Sequence, residues 1–331
     1  MSEDFGTTRG GPKAPVDAPP RRPAGSVRRT STIDSMRPDG LEGDVQVVAR
    51  ARDLLTTVEG EARVLAADGY DAVISPDRHL LHIDHPDARL AELHAVSTAS
   101  GFRARAIAAV PDEAERSTLL NLLLDDLTGA NLVAGYAMQR HPSWTTRTIP
   151  VEHFDSVTDL CAGWASGATI LVAVEADGRV PTPTTAPVAL EPDADDPLAW
   201  HDRPALPPGS MRRARRLDVV AGVDGLGFDV HFRDSYVDRD GVEGAVHEYS
   251  VWGRYDPSVH TIVEVDAVAH VLPWVECPQA LGSASRLVGA TVDELRAVVR
   301  ADFVGTSTCT HLNDTLRGLA DLPALAATLG S

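Results

Sequence analysis

The stretch GFRARAIAAVPDEAERSTLLNLLLDDLTG (101–129) has a later counterpart in CPQALGSASRLVGATVDELRAVVRADFVG (277–305). Each runs 28 steps, and the two align without a gap. Both carry helix signals, and Gly129 and Gly305 each stand where a glycine at C′ would end a helix. The parallel extends upstream. DVQVVARARDLL (44–55) matches GFDVHFRDSYV (227–237), which sets Arg52 and Asp53 against Arg233 and Asp234. LLHID (80–84) likewise matches VEVDA around Glu264. Runs at 45–55, 61–67, 71–75 and 79–84 read as strands broken by Gly, Pro and Asp turns, with helices over 112–127 and on towards Gln139. Runs at 216–221, 226–237, 245–255 and 261–272 read as four more strands, with helices from Pro278, Thr291 and Thr310.

Strands then helices, twice over, predict an α+β fold: a tandem duplication of an antiparallel sheet followed by helices, packed as an internal pseudo-dimer. Residues 1–30, with GG, PP and RRP and little apolar matter, read as a disordered arm. Residues 31–141 form a degenerate first repeat. Residues 142–211 connect, helical over 157–174 and then a Pro/Thr/Asp-rich linker. Residues 212–331 form the second repeat.

The chain has 331 residues, 43% of them hydrophobic, which suffices for a core. Three widely spaced cysteines cannot frame a disulfide scaffold and suit the reducing cytoplasm. No apolar run reaches membrane-spanning length, and the first residues lack the apolar region of a secretory signal. Net charge is −18, and six bases against three acids in the first 30 residues leave −21 on the rest. That field repels nucleic acid and anionic lipid, so neither is an expected partner.

HExxH, GxxxxGK[ST], GxSxG and CxxC are all missing from the sequence. GVDGLG (222–227) precedes a strand and reads as a hairpin turn, so no nucleotide cofactor is expected. The chemistry-bearing residues left are in the second repeat. Cys277 stands before Pro278, a residue favoured at the first helical position, and Cys309 and His311 open the last helix. Helix starts favour a thiolate, which predicts lowered thiol pKa values and makes Cys277 the candidate nucleophile. His247 shares a strand face with Tyr249 and Val251, the face that helices should cover. By the ungapped alignment the first repeat has Gly101, Val133 and Gly135 where the second has Cys277, Cys309 and His311. Cys277, Cys309, His311 and His247 make a Cys₂His₂ set suited to zinc, and the same soft donors suit an iron–sulfur cluster. Cys161 reads as core, His231 and His270 as solvent-facing, Trp252 and Trp274 as core, and the recurring Arg–Asp pairs as structural.

The second repeat resembles a bacterial family, the domain of unknown function 2889. The likeness rests on His247 opening a strand, Pro273, Trp274 and Cys277, LVG (287–289), and above all CTHL (309–312). Longer members of actinobacterial type share RRTSTIDSMRPDG and DLCAGW with this chain. That family implies no established activity. The run CPQALGSASRLVG, TVDELRAVV, CTHLNDTL also resembles iron–sulfur scaffold proteins, although the chain has His247–Glu248 where they place Cys or Asp, and Cys309-x-His311 where they carry adjacent His–Cys. That likeness implies a metal-competent pocket. The expected function is a cytoplasmic metal-binding protein; the alternatives are a thiol- or metal-dependent enzyme on a small acyl or aromatic substrate, and a non-catalytic interaction module.

Overall fold

The computed structural model describes residues 10–140, 154–155, 157–188, 196–222 and 225–330. One antiparallel sheet organises them. Its strands are β1 (Ser26–Met36), β2 (Val45–Thr56), β3 (Ala62–Ile74), β4 (Leu80–Asp84), the two-residue β5 (Ala186–Pro187), β6 (Met211–Gly222), β7 (Gly225–Val237), β8 (Glu243–Asp256) and β9 (Thr261–Val271). The order is β4-β3-β2-β1-β6-β7-β8, with β5 and β9 both pairing β8. β1 and β6 lie antiparallel at the centre, and each starts a four-strand meander that runs outward. Gly222 pairs with Gly225 across the β6–β7 hairpin, the place of the GVDGLG turn.

Helices cover one face. They are α1 (Phe102–Ala109), α2 (Pro111–Glu115), α3 (Leu119–Val133), α4 (Tyr136–Gln139), α5 (Thr169–Asp177), α6 (Leu295–Asp302), α7 (Thr310–Arg317) and α8 (Leu322–Ala326), with a 3-10 segment at Cys277–Leu287. α3 shows why this layer forms. Thr118 caps it by accepting from the Asn121 N–H at 3.3 Å. Leu120, Leu123, Leu124 and Leu127 then make one apolar stripe, all buried against the sheet.

β1 is the strand that sequence reading missed, since the expected arm ran through residue 30. SVRRTSTIDSM has little apolar content, yet ten of its eleven residues are buried. Both of its faces are held by ion pairs. On the helix side Arg29 grips Asp53 and Asp321, each at 2.8 Å. On the other side Arg28 meets Asp218 of β6 at 2.6 Å, and Arg212 of β6 meets Asp34 of β1 at 2.7 Å. Residues 10–25 are also ordered. Leu272 and Ala14 exchange backbone bonds with Pro12 and His270, and Arg22 pairs with Asp196.

Gly129 does not end a helix: it sits inside α3, which runs on to Val133. Its missing Cβ leaves room for the Arg213 guanidinium and the Asp314 carboxylate, which a methyl group there would strike. Only Gly305 has the expected left-handed conformation after a helix, with φ 77°. The 101–129 stretch therefore spans α1 to mid-α3, whereas 277–305 spans the 3-10 segment to the end of α6. The equal lengths do not align equivalent elements. The 112–127 helix is two, broken at Ser117 with φ 48°, and the 157–174 helix is a 3-10 turn at Ala162–Trp164 followed by α5.

Candidate metal centre

Adjacent residues of a strand face opposite sides, so Asp234 looks towards the helices while Arg233 looks away. Asp234 of β7 pairs in register with His247 of β8. Tyr249 and Val251 follow on the same face and are fully buried in the core. α7 then brings His311 down in its first turn, with Cys309 at its N-cap. His247 and His311 stack with ring centroids 3.6 Å apart and planes 16° from parallel. Asp234 Oδ2 lies 3.5 Å from His247 Nδ1 and 3.7 Å from His311 Nε2. Ligating atoms of Asp234, His247 and His311 fall within 4.8 Å of one another, the one such group of three among the described residues.

The four residues expected to share a centre are thus brought to one region but not to one point. His247 and His311 meet. Cys309 Sγ is 3.8 Å from His311 Nδ1 and accepts a hydrogen bond from the Tyr249 hydroxyl at 3.2 Å. Cys277 is the first residue of its 3-10 segment and lines the same cavity. Neither sulfur belongs to the tight ligand group, whose third member is Asp234. Asp234 was passed over because its neighbourhood recurs in the first half. A cue lay in register: the residue opposite Asp53 on β3 is Ala66, whereas the residue opposite Asp234 is His247.

A cavity of about 330 Å³ opens beside the group. Tyr136, Trp164, Ile170 and Trp274 supply apolar wall, and all three cysteines line it, Cys161 included. Cys161 is buried in the core, as read from the sequence, and also borders this cavity. Gly163 keeps the connector close: a Cβ there would stand 2.8 Å from Cys277 Sγ.

Burial sets the protonation states. It pushes the Cys309 thiol up to about 11, helped by Cys161, and holds Cys277 well above the usual thiol range. The lowered thiol values expected from the helix starts are therefore reversed: desolvation outweighs the partial charges of a short helix. Burial, with His247 beside it, takes His311 down to about 3, and burial also lowers His247. Asp234 resists the upward push of burial because the Arg213 guanidinium, with His247 and His311 beside it, holds it well below the carboxylate range. At neutral pH the group is two neutral imidazoles and one carboxylate.

Other side chains differ from expectation. His231 is buried, its Nε2 2.7 Å from Glu248. Burial takes His231 to about 4 despite that carboxylate. Glu248, which burial would raise, is held at about 2 by His231 and Arg233. Trp252 is 40% exposed while Trp274 is buried. His270 is half-buried against Ser250.

Residues 211–324 match the family described as Protein of unknown function (DUF2889). The DUF2889 region begins at β6 and ends within α8, so it contains Asp234, His247, Cys277, Cys309 and His311. No curated protein and no solved structure matches the chain. Among the described residues, no helix is long and apolar enough to cross a membrane.

Proposed function

We propose that the protein binds one transition-metal ion through Asp234, His247 and His311. The observation that carries this reading is the convergence of three ligand atoms within 4.8 Å, with His247 and His311 lining a cavity and Asp234 buried behind them. Two imidazoles and a carboxylate are a recognised ligand set for catalytic zinc and for non-haem iron, with further positions open. Both imidazoles are already neutral, so no proton must leave before they bind. The two rings stack as they stand, so one imidazole would have to turn for both to hold the same ion. Zinc suits this set better than an iron–sulfur cluster, which calls for thiolates where both thiols are held protonated. Metal analysis tests the reading. The wild type should carry about one ion per chain, and His247→Ala or His311→Ala should lose it. Cys309→Ser should keep it. Metal-free wild type after incubation with zinc and with iron(II), in chelator-free buffer, would overturn the proposal.

A thiol enzyme is the second reading, favoured by the line Cys309 Sγ–His311 Nδ1 at 3.8 Å and His311 Nε2–Asp234 at 3.7 Å. A nucleophile of that kind would label fast at pH 7. The burial-raised thiols speak for slow labelling and for the metal.

The two halves also read as copies of one unit. The support is the outward strand order from the central β1–β6 pair, the matched pairs Arg29–Asp53 and Arg213–Asp234, and the register shifts after Asp53 and after Asp234. Only the second copy then carries the histidines of the proposed metal site, His247 and His311.

A further inference from the structure

A second cavity, of about 180 Å³, lies on the outer side of α7. Thr310 lines both cavities, but the chemistry is different. Four guanidinium groups line this one, those of Arg103, Arg296, Arg300 and Arg317, against two carboxylates, Asp125 and Asp314. In a chain of net charge −18 this is a local excess of positive charge.

The carboxylates are already committed. Asp314 is shared by Arg103 at 3.1 Å, Arg213 at 2.7 Å and Arg317 at 2.9 Å. Asp125 accepts from Arg317 at 2.8 Å and lies 3.3 Å from Arg103. Arg296 meets Asp321 at 2.6 Å, but Asp321 also serves Arg29. Three polar atoms on the lining residues are sealed from solvent without a hydrogen-bond partner: Arg317 Nη2, Arg296 Nε and Asn313 Oδ1. Unpaired buried donors are costly, and these atoms lie behind the wall, so the groups that face the cavity are the outer guanidinium nitrogens and Arg300. Arg300, exposed at the edge, has no ion-pair partner among the described residues. Ile107, Val299 and Phe303 make the remaining wall apolar.

We propose that this cavity binds the phosphate group of a small organic phosphate. With Asp321 counted against Arg296, the four guanidinium groups face three carboxylates, and the surplus charge, that of Arg300, draws the phosphate of a monoester, which carries about −1.5 to −2 at neutral pH. Planar guanidinium forks suit its oxygens, and the apolar wall accommodates a short organic tail. The site is separate from the metal reading and stands or falls without it.

Isothermal calorimetry of the full chain with inorganic phosphate and phenyl phosphate, at fixed ionic strength, tests it. Saturable binding of about one per chain is expected, with phenyl phosphate tighter than inorganic phosphate and singly charged benzoate weaker than either. Arg300→Ala, an exposed change that leaves the fold intact, should weaken phenyl phosphate binding by about tenfold. Arg296→Gln, checked for folding by circular dichroism, should weaken it comparably. Absence of saturable binding, or wild-type affinity in both variants, would overturn the proposal.

Discussion

Arg213 holds two carboxylates at once. Its Nε reaches Asp234 at 2.8 Å and its Nη1 reaches Asp314 at 2.7 Å, with all three groups buried. It thereby fixes the carboxylate of the proposed metal site and ties β7 to α7. Removing one member of a buried charge network leaves the others unpaired, so Arg213→Ala should cost about 3–5 kcal/mol in urea unfolding. It should also release bound metal. Sequence reading singled out His247 as an imidazole on an otherwise apolar strand face and His311 from its place at a helix start. It missed Asp234, because an Arg–Asp dipeptide gives no sign of which strand partner its carboxylate faces. It misjudged the thiols because helix-start logic does not include depth, and depth decides here.

The α3 helix makes a test at the element scale. Alanine usually stabilises a helix interior over glycine by about 1 kcal/mol. At Gly129 the sign should invert, because the added methyl meets Arg213 and Asp314, groups already locked in ion pairs. Gly129→Ala should destabilise by about 1–3 kcal/mol, measured by thermal or urea unfolding, whereas Thr118→Ala should cost about 1 kcal/mol through its lost cap. Strands and hairpins with alternating apolar residues were legible in sequence: β2 and β7 to β9 appear where their patterning put them. β1 was not, because its two faces are covered by arginine–aspartate pairs rather than by aliphatic groups. The motif RRTSTIDSM stood out as a motif and gave no sign of being a central strand. The gapless 101–129/277–305 match does not align equivalent helices: it sets α1 and part of α3 against the 3-10 segment and α6.

At the scale of the whole molecule, the sheet has an apolar core under its helices, crossed by the buried Arg29–Asp53 and Arg213–Asp234 pairs, and a polar layer on its other face. There His201 bridges Thr30 and Thr32, each at 2.9 Å, and is held down at about 3 by burial and by the Arg52 charge. His231 is held at about 4. Both stay neutral when folded and take up a proton near pH 6.5 when unfolded. The unfolded chain therefore binds more protons below pH 6.5, and stability falls as pH drops from about 6.5 towards 3. Urea midpoints at pH 7, 6 and 5 should decline, with a slope approaching about 1.4 kcal/mol per pH unit for each such histidine. His201→Gln should flatten the slope by one proton's worth. An unchanged midpoint from pH 7 to 5 would contradict this account of the polar layer.

The donor set at the proposed centre can be read directly from the absorption spectrum of the protein loaded with cobalt(II). Ligation by Asp234, His247 and His311 predicts weak visible bands of a nitrogen- and oxygen-bound ion, lost in His247→Ala and unchanged in Cys309→Ser. An intense sulfur-to-cobalt charge-transfer band that disappears in Cys309→Ser or Cys277→Ser would contradict it and return the thiols to the metal.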